Sequence, residues 1–197
     1  MKKYLVIGNP IDHSLSPKLQ NYWIKNHHIN AIYEKEKLNE DELEKFFVNI
    51  RDKKIFILGA GGVAPSIIYA LNKLEVLEIT IANRTREKAE NLKNLFDNLK
   101  IVEWGEIPDF DMIINATSIG LKKDDEINLN FSSIGKNKFF YDVIYNPKET
   151  NFLKTGKKLG NATENGKLMF IYQAISAFNI WHGVRPMVND EVIKLLD

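Results

Sequence analysis

Lys54-Ile55-Phe56-Ile57-Leu58-Gly59-Ala60-Gly61-Gly62-Val63-Ala64-Pro65 carries an apolar run straight into a glycine-rich turn. The run is continuous rather than alternating, the pattern of a strand covered on both faces. The turn fits G-x-G-x-x-G/A: Gly59 permits a tight bend, Gly61 lets the backbone approach a pyrophosphate, and Ala64 lets helix and strand pack closely. Ile67, Ile68, Leu71 and Leu74 then repeat at helical spacing, with Pro65 in the first turn, where a missing N–H costs least. A buried strand, a glycine turn and a helix are the context a dinucleotide-binding loop requires. A purely structural turn is the competing reading.

Outward from this stretch, short β-rich runs alternate with helical ones. YLVIG, SPKLQNYWIKNHH, AIYEKEKL and EDELEKFFVNI precede it; LEITIAN, DMIINAT, KFFYDVIYNP and the long apolar GKLMFIYQAISAFNIWHG follow. Such alternation predicts βαβ units and a parallel sheet, an α/β fold. KKDDE at 122–126 reads as a solvated loop.

Composition narrows the function classes. The 197 residues are 44% hydrophobic and 27% charged, as in an ordinary globular protein. Lys+Arg 27 against Asp+Glu 26 leaves a net charge of +1, which gives no electrostatic reason to bind nucleic acid or an anionic membrane. Cysteine is absent, so disulfides, thiolate catalysis and Cys-based zinc sites are excluded. His13, His27, His28 and His182 show no metal-ligand spacing, and no metal is expected. No apolar run reaches the ~18 residues of a membrane span, and MKKYLVIGNP breaks into Gly-Asn-Pro too early for a signal-peptide core. The expected location is cytoplasmic.

The strand after the glycine loop selects the nucleotide. An NAD-specific site usually ends this strand in a carboxylate for the ribose 2′-OH, whereas here ITIA runs into Asn83-Arg84-Thr85-Arg86-Glu87-Lys88. Arg84 can lay its guanidinium on a 2′-phosphate or on adenine, Thr85 can donate its hydroxyl, and Lys88 can add a charge. NADP is favoured over NAD; a merely solvated basic turn is the alternative. Asn115-Ala116-Thr117-Ser118 would lie at the carboxyl edge of the sheet, though a plain Asn/Ser turn looks the same. In Asp12-His13-Ser14-Leu15-Ser16-Pro17, Ser14 and Ser16 alternate about Leu15 and can clamp one small carboxylate. Ser16-Pro17 is also an ordinary helix start, and His13 an ordinary turn residue.

Six stretches in this order resemble the shikimate dehydrogenase family, which reduces 3-dehydroshikimate with NADPH in aromatic amino-acid biosynthesis: IGNPIDHSLSPKLQN, ILGAGGVAPSIIYAL, IANRTREKAENL, INATSIGL, YDVIYNPKET and NGKLMFIYQAISAFNIWHG. The resemblance implies a Rossmann-like NADP-binding domain with an N-terminal α/β substrate domain. Carried over by position, Ser14 and Ser16 would hold the substrate carboxylate, and Tyr145 and Gln173 would bind shikimate or 3-dehydroshikimate. Gly59, Ala60, Gly61, Gly62, Val63, Asn83, Arg84, Thr85, Arg86, Lys88, Thr117, Val143 and Gly166 would line NADP. From pattern alone, Gln173 is a boundary polar residue of its helix and Tyr145 a buried aromatic.

The family also carries N-V-T-x-P-x-K and N-T-D-x-x-G segments, which supply the Lys and Asp that bind substrate hydroxyls and relay the proton. Neither is present: after Phe46-Phe47-Val48-Asn49-Ile50 the chain passes directly to Arg51-Asp52-Lys53-Lys54. The expected domains are therefore a truncated substrate domain at 1–50, the NADP domain at 51–170, and C-terminal helices at 171–197 packing back on the N-terminal part. No catalytic residue of the family's pair is available. About 50 residues bury too little surface to be secure alone, and strands that have lost partners leave open edges, so self-association is expected. Three functions stay open: a shortened shikimate dehydrogenase, a non-catalytic NADP-binding sensor or interaction protein, and a different reaction using His13 or Tyr145.

Overall fold

The computed structural model describes residues 2–3, 16–29, 31–32, 50–189, 191–192 and 196. In chain order its elements are β1 (Lys2–Lys3), α1 (Ser16–Asn26), β2 (Ala31–Ile32), β3 (Lys54–Leu58), α2 (Ala64–Lys73), β4 (Glu78–Ala82), α3 (Arg86–Lys93), β5 (Leu99–Val102), β6 (Met112–Asn115), β7 (Phe139–Asp142), α4 (Asn151–Lys158), β8 (Ala162–Asn165) and α5 (Lys167–His182). They form two compact units, one of Glu44–Gly166 and one of Met1–Leu43 with Lys167–Asp197.

In the first unit six strands form one parallel sheet in the order β5-β4-β3-β6-β7-β8. The alternation of side chains along β3 explains its unbroken apolar run. Ile55 and Ile57 point into a cluster with Ile68, Leu71, Ile79, Ile81, Met112 and Ile114, while Phe56 and Leu58 point into a second with Phe110, Ile113, Phe131, Phe140 and Phe152. Both faces are covered, as a parallel sheet requires, and each fully buried Ile or Phe contributes about 1.5–3 kcal/mol. On the aromatic side Phe140 meets Phe131 and Phe110 edge-on, with centroids 5.8 and 6.3 Å apart. A Cβ on Gly156 of α4 would lie 2.7 Å from the Phe140 ring, so only glycine lets α4 come this close to β7.

The strands expected over KIFIL, LEITIAN, DMIINAT and KFFYDVIYNP are β3, β4, β6 and β7. Two strands had no expectation. β8 reads Ala-Thr-Glu-Asn with no buried residue, and its register against β7, Phe139↔Ala162 to Asp142↔Asn165, makes it a strand. β5 is a four-residue edge with only Leu99 buried. KKDDE is mostly exposed, yet Asp125 accepts the N–H groups of Gly120 and Lys122 at 3.1 Å each, and these bonds hold its carboxyl below the usual range.

In the second unit α5 buries Leu168, Phe170, Ile171, Ala174, Ile175 and Phe178. Trp23 of α1 meets Phe178 edge-on at 5.4 Å, and Gln20 Nε2 donates to the Ala174 carbonyl at 3.0 Å. β1 and β2 pair in parallel, Lys2↔Ala31 and Lys3↔Ile32. The strand expected over Tyr4–Gly8, most of AIYEKEKL and the helix expected over EDELEKFFVNI lie outside the described residues, except that Ile50 opens a single 3-10 turn through Asp52.

Candidate nucleotide site

β3 and β6 adjoin at the point where the strand order reverses, the place where open parallel sheets bind ligands at their carboxyl ends. The loops leaving these two strands touch. Ala116 N–H donates to the Leu58 carbonyl at 2.8 Å. Gly59 has φ +102, and a Cβ there would stand 2.8 Å from Thr117 Cγ2 and 3.0 Å from the carbonyl of Ala116. Conformation and space both demand glycine.

Beyond Gly59 the loop opens. Gly61 and Gly62 are exposed, and a Cβ on Gly62 would meet nothing within 4 Å. Val63 precedes α2 without a side chain able to cap it, while Ala64 is wholly buried against the sheet. Open backbone at an uncapped helix start suits an anionic phosphate. The cradle fits a dinucleotide.

Asn83, the first residue after β4, ties this loop to the basic turn. Its Oδ1 accepts Ala60 N–H at 3.0 Å and its Nδ2 donates to the Thr85 carbonyl at 2.8 Å, while Gly59 N–H donates to the Ala82 carbonyl at 2.8 Å. Arg84, Thr85 and Lys88 are exposed, and neither Arg84 nor Lys88 has an acidic partner among the described residues. Thr85 stands at the N-cap of α3, yet its hydroxyl makes no capping bond. Arg86 differs: its guanidinium pairs with Glu90 at 2.8 Å and also with Glu103, and these carboxylates raise its pKa. No carboxylate occupies the strand end.

Thr117 spends its hydroxyl inside its own turn. Its Oγ1 donates to Asn115 Oδ1 at 2.7 Å and accepts Ile119 N–H at 3.0 Å, leaving the methyl against Gly59. Asn115 is completely buried: Oδ1 also accepts Thr117 N–H at 3.1 Å, and Nδ2 donates at 3.0 Å to both the Ile119 carbonyl and Asp142 Oδ1. Asp142, equally buried at the end of β7, accepts Ile144 N–H at 3.0 Å and the Thr150 hydroxyl at 2.6 Å. Burial pushes its carboxyl up to about 6, against the opposing pull of Thr150, the Ile144 N–H and Asn115. Sequence reading missed Asp142 and Thr150. The available signal was an acid closing an apolar strand, which is affordable only where donors meet it.

Val143 N–H donates to the Asn115 carbonyl at 3.0 Å. A Cβ on Gly166 would fall 2.0 Å from the Val143 carbonyl oxygen, so these two expected cofactor positions are packed backbone to backbone. Tyr145 is half-buried in the same unit, not fully buried. Gln173 is exposed on α5 of the other unit. Ser16 is the first residue of α1, and Ser14 and His13 lie outside the described residues. Among the described residues no three His, Asp or Glu are grouped to hold a metal, and no helix is long and apolar enough to cross a membrane.

Sheet order and glycine loop together define a doubly wound α/β protein of the dinucleotide-binding class. The family pattern described as the shikimate dehydrogenase substrate binding domain matches residues 6–60, and that described as shikimate / quinate 5-dehydrogenase matches residues 41–143. Shikimate dehydrogenase (NADP(+)) of Pelagibacter ubique (strain HTCC1062) is 47% identical over 262 aligned positions, covering 100% of this chain and 99% of the relative. That aligned length exceeds the 197 residues here, so positions of the relative have no counterpart in this chain. The same enzyme of Caldicellulosiruptor saccharolyticus is 43% identical over 78% of this chain, which spans 58% of the relative. The crystal structure of shikimate dehydrogenase from Aquifex aeolicus superposes with a TM-score of 0.75 at 29% identity, over 90% of this chain and 91% of that one. This chain belongs to the shikimate dehydrogenase family.

Proposed function

We propose that this protein binds NADP and acts on the 3-dehydroshikimate/shikimate pair, with turnover well below that of relatives that retain the whole substrate domain. The observation carrying the cofactor reading is the clamped loop: Asn83 holds Ala60 while Arg84 beside it stands exposed with no ion-pair partner among the described residues. The names of the relatives, shikimate dehydrogenase (NADP(+)), agree with it.

When bound, the reduced nicotinamide supplies a hydride. The chain's own part would be to hold the nucleotide: open glycine backbone and the start of α2 for the pyrophosphate, Arg84, Thr85 and Lys88 for the 2′-phosphate, and Val143 and Gly166 as further lining positions. In this reading residues 1–50 are the remnant substrate domain, 51–170 the NADP domain, and 171–197 pack on the N-terminal part. Ser14 and Ser16 hold the substrate carboxylate, with Tyr145 and Gln173 as further contacts. In the same reading strands that have lost their partners leave open edges, and the shortened substrate lobe self-associates. An alkoxide formed by hydride delivery needs a proton, and a positioned acid is worth about 10² to 10⁴ in rate. Without the family's Lys and Asp segments that acid is lacking, which also supports a second reading, a non-catalytic NADP-binding sensor or interaction protein.

Following NADPH absorbance with and without 3-dehydroshikimate tests both. Slow substrate-dependent oxidation supports the first reading, and NADPH binding with no oxidation supports the second. A full enzymatic rate refutes the loss of the acid, and failure to bind NADPH refutes the function altogether.

A further inference from the structure

We propose that Asp142 is a positioning residue of the nucleotide site, acting through Asn115 to set the loop that abuts the glycine turn. An amide such as Asn115 can face either way, and only its partners decide which end is oxygen. Asp142 accepts from Asn115 Nδ2, which leaves Oδ1 to receive both the N–H and the hydroxyl of Thr117. Thr117 in turn takes Ile119 N–H and lays its methyl against Gly59. On its other side Asp142 receives Ile144 N–H, fixing the segment that begins with Val143, and the hydroxyl of Thr150, which also accepts Leu153 N–H at 3.3 Å to cap α4. One buried carboxylate therefore joins the exits of β6 and β7 and the start of α4. Its three bonds come from three different segments, each satisfied by it alone or with one other acceptor. A carboxylate with nothing to do but stabilise the fold would be costly at this depth compared with an apolar residue.

The inference rests on the NADP reading above, and two measurements separate its failure from the failure of that reading. The first is the NADPH dissociation constant of Asp142→Ala, Asp142→Asn and Leu99→Ala, the last a core truncation in β5 with no bond to the site. Asp142→Ala removes the acceptor and is expected to weaken NADPH at least tenfold. Asp142→Asn keeps an oxygen toward Asn115 and stays within about threefold. Leu99→Ala lowers the melting temperature but leaves the dissociation constant within about twofold. The second is amide hydrogen exchange of the nucleotide-free protein, in which Thr117 and Ile119 lose protection in Asp142→Ala but keep it in Asp142→Asn and Leu99→Ala. Should Asp142→Ala not fold, Thr150→Val removes one bond to the carboxylate and should weaken NADPH about threefold, with Thr150→Ser restoring it. Unchanged protection at Thr117 and Ile119 in Asp142→Ala or, in its place, an unchanged dissociation constant in Thr150→Val overturns the proposal. So does an equal loss of affinity in Leu99→Ala, which would make the effect one of general stability. Absence of NADPH binding in the unaltered protein refutes the function alone, and exchange still decides the role of Asp142.

Discussion

Asn83 Oδ1 accepts the backbone N–H of Ala60 at 3.0 Å, so the residue that follows β4 holds the second residue of the glycine turn. The glycine loop and the basic turn after β4 are thus one mechanical piece. Asn83→Ala frees both Ala60 N–H and the Thr85 carbonyl. A net loss of about 1 kcal/mol per bond is expected where water can replace the partner. Calorimetric titration should show NADPH bound roughly tenfold more weakly with only a small fall in melting temperature.

Gly59→Ala places a side chain at φ +102 and 2.8 Å from Thr117 Cγ2. The backbone conformation alone costs about 1–2 kcal/mol, and the Ala116 backbone cannot move away without disturbing β6. Thermal denaturation should show a drop of several degrees, and NADPH binding should be lost.

Arg84 is exposed and makes no ion pair among the described residues, whereas Arg86 is held by Glu90 and Glu103. A bond from guanidinium to a 2′-phosphate is worth about 1.5–3 kcal/mol. Arg84→Ala should therefore weaken NADPH roughly 10- to 100-fold while changing NADH little, and Arg86→Ala should weaken NADPH far less. Paired titrations with the two nucleotides check the ratio.

Asp142, with its carboxyl pushed up to about 6 by burial, binds its proton more tightly folded than unfolded. Its contribution to stability is therefore full below the ordinary Asp range, near 4, and is lost as pH rises through 6. Melting curves of the unaltered protein and Asp142→Asn between pH 4 and 7.5 should show the variant gaining on the parent as pH rises. Exposed pairs such as Lys54–Asp109, common to both proteins, cancel in the difference. A constant gap across this range would contradict the assignment.

Local pattern was enough where burial on both faces forces a continuous apolar run. Ile55 to Leu58 reads as a central strand, and Gly59 to Ala64 as the loop after it, because each position has one physical requirement that few residue types meet. Patterns failed where the requirement came from a neighbour. Ala162–Asn165 carries no apolar signal, and β7 alone makes it a strand through pairing. Thr117 reads as a ligand or as a turn residue with equal ease, and the orientation of Asn115 assigns its hydroxyl to the turn.

The sequence by itself determined the class of sheet, the glycine loop after its central strand and the absence of an acid after β4, which depend on residue type and spacing along the chain; the lack of the Lys and Asp segments shows only through the resemblance to the family. Tertiary structure decided which side chains are spent on the scaffold and which stand open: Asn83 on Ala60, Arg86 on Glu90 and Glu103, Thr117 on Asn115, and Asp142 on three loops at once. Hydrogen bonds are short-ranged and directional, so residues 27 positions apart, like Asn115 and Asp142, acquire their roles only when folding brings their strands into register.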